Sequence, residues 1–202
     1  MRPNHSTPSS GIDSRIEPLF DADALRQAVS ALGRRIEEDL GGEDPLLLAL
    51  LGGSLVFFAD LVRAIERPVR FELIHVGYHA THPASLASIA GGEGPEEETD
   101  SEVLEIEYPI PVDIDGQSVV VVKDVVGSGV TEPYLEQQLR DRGARSVRFA
   151  ALIDRPDERK TSFELHYHAF TTAQPGLLVG YGMKHEGRYG NLPYVGRFNE
   201  ES

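Results

Sequence analysis

Gly127-Ser128-Gly129-Val130-Thr131 is the stretch of this 202-residue chain best suited to holding an anion. Two glycines let backbone N–H groups converge on one point, and the hydroxyls of Ser128 and Thr131 add donors. A charged pair, Lys123-Asp124, stands just ahead of it. A second small-residue turn, Gly52-Gly53-Ser54, lies earlier in the chain. Two larger phosphate-binding fingerprints, Gly-x4-Gly-Lys-Ser/Thr and Gly-x-Gly-x-x-Gly, are absent. His75, His79 and His82 would suit zinc if they lay on one helix, and His166 and His168 would share a strand face. Gly77 and Pro83 interrupt the first set, which favours ordinary polar histidines.

Such groups act only if the surrounding elements aim them. Val119 to Val122 are four β-branched residues without alternation, the mark of a strand buried on both faces. Glu132 to Arg142 has helical composition, with Tyr134, Leu135 and Leu139 on one face. Strand, loop and helix together put residues 127–131 at a helix N-terminus, where an anion is favoured. Turn geometry alone would also account for a Gly-Ser-Gly.

The same unit recurs upstream. Leu46 to Leu51 predicts a second buried strand, followed by Gly52-Gly53-Ser54 and a helix over Leu55 to Ile65. Before it, a helix begins at Asp21 or Asp23 and runs to Leu40, with Leu25, Val29, Leu32, Ile36 and Leu40 as its apolar stripe and Gly41-Gly42 as its stop. Val69 to Val76, Ser146 to Ile153 and Phe163 to Phe170 predict further strands, and Leu177 to Val179 begins the last. Val103 to Ile114 predicts a strand pair broken by Pro109 and Pro111, with Asp115-Gly116 as a hairpin turn. Strands alternating with helices predict an α/β fold: one domain over 17–199, with a central, mainly parallel sheet covered on both faces. Residues 1–16 read as a disordered tail. Residues 79–102 lack apolar periodicity, carry the acidic run Glu96 to Glu98, and read as a mobile loop.

Composition narrows the partners. With 19 Lys and Arg against 33 Asp and Glu the net charge is −14, which disfavours nucleic acid and anionic membranes. There is no cysteine, so disulfides and thiolate metal sites are excluded. No apolar run is long enough to span a bilayer and no secretory signal is visible, so a soluble cytoplasmic protein is expected.

Read as a whole, the string from Val119 to Thr131 resembles the ribose-phosphate signature of type I phosphoribosyltransferases. The resemblance extends through Phe58-Ala59-Asp60-Leu61-Val62, Ala151-Leu152-Ile153-Asp154-Arg155-Pro156, Val179-Gly180-Tyr181-Gly182 and Asn191-Leu192-Pro193-Tyr194. Their order and spacing look most like the bacterial hypoxanthine/guanine branch, over roughly Leu19 to Phe198. The resemblance implies the family's fold with a small hood from the terminal segments. It also implies a homodimer or homotetramer and a purine-salvage glycosyltransferase. That enzyme would move a phosphoribosyl group from phosphoribosyl pyrophosphate to a purine nitrogen, with Mg²⁺ on the pyrophosphate and ribose hydroxyls.

Carried over position by position, the resemblance assigns Gly127, Ser128, Gly129, Val130 and Thr131 to the 5′-phosphate and Asp124 to a ribose hydroxyl. Gly52, Gly53 and Ser54 fall on the pyrophosphate loop, and Arg155, Leu177 and Leu178 on the purine. Arg155 stands where a lysine usually reads the exocyclic oxygen, and Leu177 where an aromatic ring stacks on the base. Lys123 replaces the first acid of the ribose pair. Gly127 replaces the aspartate that handles the purine N7 proton. Lys184 replaces an aspartate that helps hold Mg²⁺, and Gly190 an arginine on the pyrophosphate. These departures open two expectations. One is a purine phosphoribosyltransferase, conventional or altered, in which Lys123 and Lys184 either substitute for the metal's charge or are solvated surface lysines. The other is a non-catalytic nucleotide-binding or regulatory protein on the same scaffold.

Overall fold

The structure, a computed structural model, describes residues 13–80, 102–107 and 112–199. Its centre is a six-stranded sheet in the order β4-β3-β2-β5-β6-β7. The strands are β2 (Leu46–Leu50), β3 (Arg70–Ala80), β4 (Glu102–Glu107), β5 (Ser118–Val126), β6 (Ser146–Asp154) and β7 (Tyr167–Thr171). All neighbours are parallel except β4, which pairs antiparallel with β3 at the edge. Leu46 to Ala49 lie in register with Val119 to Val122, and these with Val147 to Ala150.

Because side chains alternate across a strand, these unbroken apolar runs feed two cores at once. Leu47, Ala49, Val120, Val122, Ala150 and Leu152 face one side. There they meet α1 (Ala22–Leu40) and α2 (Leu55–Ala64). Leu46, Leu48, Val119, Val121, Val147 and Phe149 face the other, against Leu135 and Leu139 of α3 (Thr131–Asp141). Asp21 caps α1 by accepting from the N–H of Ala24 at 2.8 Å, and Gly41 ends it in the left-handed region at φ 42°. The two helices on the first face pack closely at Gly33, where a Cβ would come within 2.8 Å of Ala64 Cβ.

A second sheet joins the ends of the described chain. β1 (Ile16–Phe20), β9 (Val195–Phe198) and β8 (Leu177–Val179) pair antiparallel in the order β1-β9-β8. Ile16, Val179 and Phe198 form its small core, with Tyr189, Leu192 and Tyr194 against it. This is the hood expected from the terminal segments.

Several boundaries differ from the sequence-based expectation. The strand expected over 163–170 begins only at Tyr167. Phe163 and Leu165 instead fold onto the α3-side core, with the Phe163 ring edge-on to Phe149 at 5.3 Å. The strand expected over 69–76 runs on to Ala80, and the pair expected over 103–114 is the single strand β4, with 108–111 outside the described residues. Asp115-Gly116 does turn, with the N–H of Gln117 donating to Ile114 at 3.0 Å, but among the described residues no strand leads directly into it, and β5 after it pairs with β2 and β6 and not with β4. Most of the expected tail and of the 79–102 loop lies outside the described residues. Of the tail, residues 13–16 form a turn and the start of β1. Among the described residues no helix is long and apolar enough to cross a membrane.

Candidate active site

Where parallel strands end, the loops that follow them face a common crevice. Here β2 ends in Gly52-Gly53, β5 carries Asp124-Val125 near its end, and β6 ends beside Arg155. These residues, with Gly176, Leu177, Leu178, Met183 and Lys184 from the hood side, line one cavity of about 420 Å³. Seven positions that the resemblance nominated from distant parts of the chain thus share one wall. They are Gly52, Gly53, Asp124, Arg155, Leu177, Leu178 and Lys184.

Close backbone approach holds this cavity in shape. A Cβ on Gly53 would fall 2.0 Å from Asp124 Oδ2, so only glycine lets the β2 turn lie against that carboxylate. Gly180, Tyr181 and Gly182 all have positive φ, at 92°, 50° and 102°. The bend brings Gly182 against the Gly53 carbonyl, where a Cβ would meet the oxygen at 2.5 Å. Tyr181 is anchored by donating its hydroxyl to Asp60 Oδ2 at 2.5 Å, and burial together with this carboxylate pushes its pKa up. Ser54 points elsewhere: it is buried and its hydroxyl donates to the Leu50 carbonyl.

Arg155 is buried at 8% exposure. Its Nη2 donates to the Gly176 carbonyl at 2.7 Å and its Nη1 to Glu158 Oε1 at 3.0 Å. Its Nε is buried without a hydrogen-bond partner among the described residues. A planar guanidinium fixed on two sides and lining a cavity is a directional donor for a planar, oxygen-bearing ligand.

The loop 127–131 continues from the cavity-lining end of β5. Its first three carbonyls are engaged by the segment after β6. Arg159 donates to Gly127, Lys160 N–H to Ser128 at 2.8 Å and the Thr161 hydroxyl to Gly129 at 2.8 Å. No side-chain capping bond is made at the start of α3, a helix end of the kind that favours an anion. The Lys123 Nζ is turned to Glu132 Oε1 in that first turn, away from the role of a free cation. Glu132, Glu158 and Arg159 carry no motif, and sequence reasoning did not single them out. Only an unexplained buried-side acid in the first turn of an apolar-faced helix hints at Glu132.

A divalent cation at this cavity would find one carboxylate, Asp124, beside the ammonium of Lys184. Mg²⁺ keeps several waters and is commonly held by one or two carboxylates together with substrate phosphates, so Asp124 would be the protein's contribution to such an ion, against the opposing charge of Lys184. Among the described residues no group of three or more His, Cys, Asp and Glu could hold a metal. The helical histidine cluster is not formed either. His75 and His79 lie on β3, which puts them roughly 13 Å apart along the strand, and His82 is outside the described residues.

A larger cavity, about 540 Å³, lies between α1, α2 and Gly190 to Pro193. It holds the Asp60–Tyr181 pair but none of the strand-end loops, so the smaller crevice is the better candidate.

Fold and crevice together define a hooded, doubly covered parallel sheet with a cavity at its strand ends. The chain belongs to the phosphoribosyl transferase domain family, whose pattern residues 16–183 match. It is 32% identical to a hypoxanthine-guanine phosphoribosyltransferase of Streptococcus pneumoniae over 183 residues, 91% of this chain and 93% of that one. It is also 32% identical to the enzyme of that name from Mycobacterium tuberculosis, over 88% of this chain and 83% of that one. Among solved structures, a hypoxanthine-guanine phosphoribosyltransferase from Bacillus anthracis superposes with a TM-score of 0.72 at 28% identity, covering 90% of this chain and 96% of that one.

Proposed function

We propose that this protein transfers a phosphoribosyl group from phosphoribosyl pyrophosphate to a 6-oxopurine, hypoxanthine or guanine. The observation that carries this reading is the convergence of Gly52-Gly53, Asp124, Arg155 and Leu177-Leu178 on one cavity beside the uncapped start of α3. In that arrangement the N–H groups at residues 127–131 and the N-terminus of α3 hold the 5′-phosphate. Asp124 accepts from a ribose hydroxyl. The Gly52-Gly53 turn cradles the pyrophosphate, and Lys184 offsets part of its charge. Arg155 donates to the exocyclic oxygen of the base, and Leu177 and Leu178 cover its face. Charge that builds on the departing pyrophosphate is met by donors already in place, which is where such a site gains most of its rate.

The test is turnover of hypoxanthine, guanine and xanthine with phosphoribosyl pyrophosphate, followed by nucleotide formation and pyrophosphate release, with and without added Mg²⁺. Nucleotide formation with an oxopurine supports the proposal. Nucleotide binding without turnover of any of the three bases would move the protein to the non-catalytic alternative.

A further inference from the structure

Gly127 has no side chain, yet the space one would fill is occupied. A Cβ on Gly127 would stand 2.7 Å from Glu158 Oε2. That is close to the separation between an aspartate's own Cβ and its carboxylate oxygens. A carboxylate oxygen therefore reaches the space that an aspartate side chain at 127 would enter, delivered from a different turn.

The delivery is structured. Pro156–Glu158 forms a single 3-10 turn, and the N–H of Glu158 donates to the Arg155 carbonyl at 3.1 Å. This folds Glu158 back over Arg155, whose Nη1 holds Oε1 at 3.0 Å. Oε2 is left facing residue 127. Asp124 and Asp154, at the ends of β5 and β6, face other groups. Asp124 Oδ1 accepts from the N–H of Val125 at 2.9 Å, its Oδ2 lies against Gly53, and Asp154 is paired with Arg159.

A neutral oxopurine carries a proton on an imidazole nitrogen. As N9 bonds to C1′, the bond from C1′ to the pyrophosphate oxygen breaks and pyrophosphate leaves with that electron pair. The ring must then lose its imidazole proton. We propose that Glu158 accepts it: Oε2 takes the proton while Arg155 holds Oε1 and, through its remaining donors, the base. This inference rests on the phosphoribosyl transfer proposed above and adds to it the catalytic base that position 127 lacks.

Steady-state kinetics of the full chain with guanine and with an 8-aza analogue, whose ring N–H is more acidic, tests it. Glu158→Gln keeps the size of the side chain and an oxygen for Arg155. It is expected to lower kcat by about 10²-fold or more, the range for general acid/base transfer, with the KM for the purine within a few-fold. The loss is smaller with the 8-aza base, because the proton needs less help to leave. Adding Gly127→Asp to Glu158→Ala restores turnover, since the new carboxylate enters the vacated space. Turnover of Glu158→Gln within a few-fold of wild type overturns the inference while leaving phosphoribosyl transfer standing. So does an equal loss with both bases and no recovery by Gly127→Asp, which is the signature of a residue that only positions Arg155. A wild-type protein that turns over no purine overturns both.

Discussion

Lys123 and Glu132 bind each other at the root of the loop 127–131, Nζ to Oε1, with side chains only 15% and 3% exposed. The lysine occupies the place of an acid in the ribose signature, and the glutamate occupies the first turn of α3. Neither charge has bulk water to fall back on, so each depends on the other. The departure at 123 is thus matched inside the protein by a second charge.

Removing one partner alone should therefore cost more than removing both. Glu132→Gln leaves a largely buried ammonium without its counter-charge and is expected to destabilise the fold by about 3–5 kcal/mol. Lys123→Met with Glu132→Leu should recover most of that loss, because an apolar pair of similar size needs no desolvation. Chemical denaturation of the two single variants and the double variant measures the coupling. Additive losses would show that the pair is not energetically linked. By the same logic, Lys123→Glu sets two carboxylates face to face, and restoring the family's acid there requires Glu132 to change as well.

Gly182 is where the hood meets the β2 turn. A Cβ there would press on the Gly53 carbonyl at 2.5 Å, and the residue already sits at φ 102°. Gly182→Ala should cost about 1–3 kcal/mol through strain alone. It should also displace Gly53 from Asp124, raising the KM for phosphoribosyl pyrophosphate more than that for the purine. A variant with lowered melting temperature but unchanged kinetics would show that the contact supports the fold without shaping the crevice.

How far the sequence told this in advance depends on the kind of information each feature carries. The cap at Asp21 or Asp23, the stop at Gly41 and the buried runs of β2, β5 and β6 are local patterns; the structure takes Asp21 as the cap and repeats β2 and β6 to within a residue, while β5 continues past Lys123-Asp124 to Val126. The cavity wall was legible for a related reason: loops after parallel strands converge, so naming the loops names the wall. Phe163 and Leu165 misled because apolar residues read alike whether they lie in a strand or fold onto the core beside one. β9 was missed because Val195 to Phe198 includes Gly196 and Arg197 and is too short to show a period. The partners Glu132 and Glu158 were illegible because a charge does not announce, along the chain, which distant residue it will face.

Acid should loosen the join between the N-terminal segment and the hood. Asp13 accepts from the Tyr189 hydroxyl at 2.7 Å and pairs with Arg15 at 2.6 Å. These bonds, the Arg15 donors first and Tyr189 next, hold the Asp13 carboxyl well below its ordinary 3.8. A group whose pKa is depressed by folding adds stability above its unfolded pKa and loses it as the pH falls through the folded one. The difference in melting temperature between wild type and Asp13→Asn should therefore be constant near neutral pH and shrink on acidification below the ordinary carboxylate range. A difference that stays constant to strongly acid pH would exclude the carboxylate as its source.

Leu177 lines the crevice and is 39% exposed, a large apolar side chain left open at the face a base would cover. An aromatic ring at this position offers stacking that an aliphatic chain does not, worth about 1–3 kcal/mol per base by analogy with single-strand recognition. Leu177→Phe is therefore expected to lower the KM for guanine or hypoxanthine by roughly tenfold, since about 1.4 kcal/mol is one decade. Because base and product nucleotide present the same ring, the product should also bind more tightly. kcat then rises less than kcat/KM, or falls if product release limits turnover. Titration of the product nucleotide by calorimetry separates these effects. Unchanged affinity for both base and nucleotide would mean that the ring of the substrate does not lie against Leu177, and the purine would have to be placed elsewhere in the cavity.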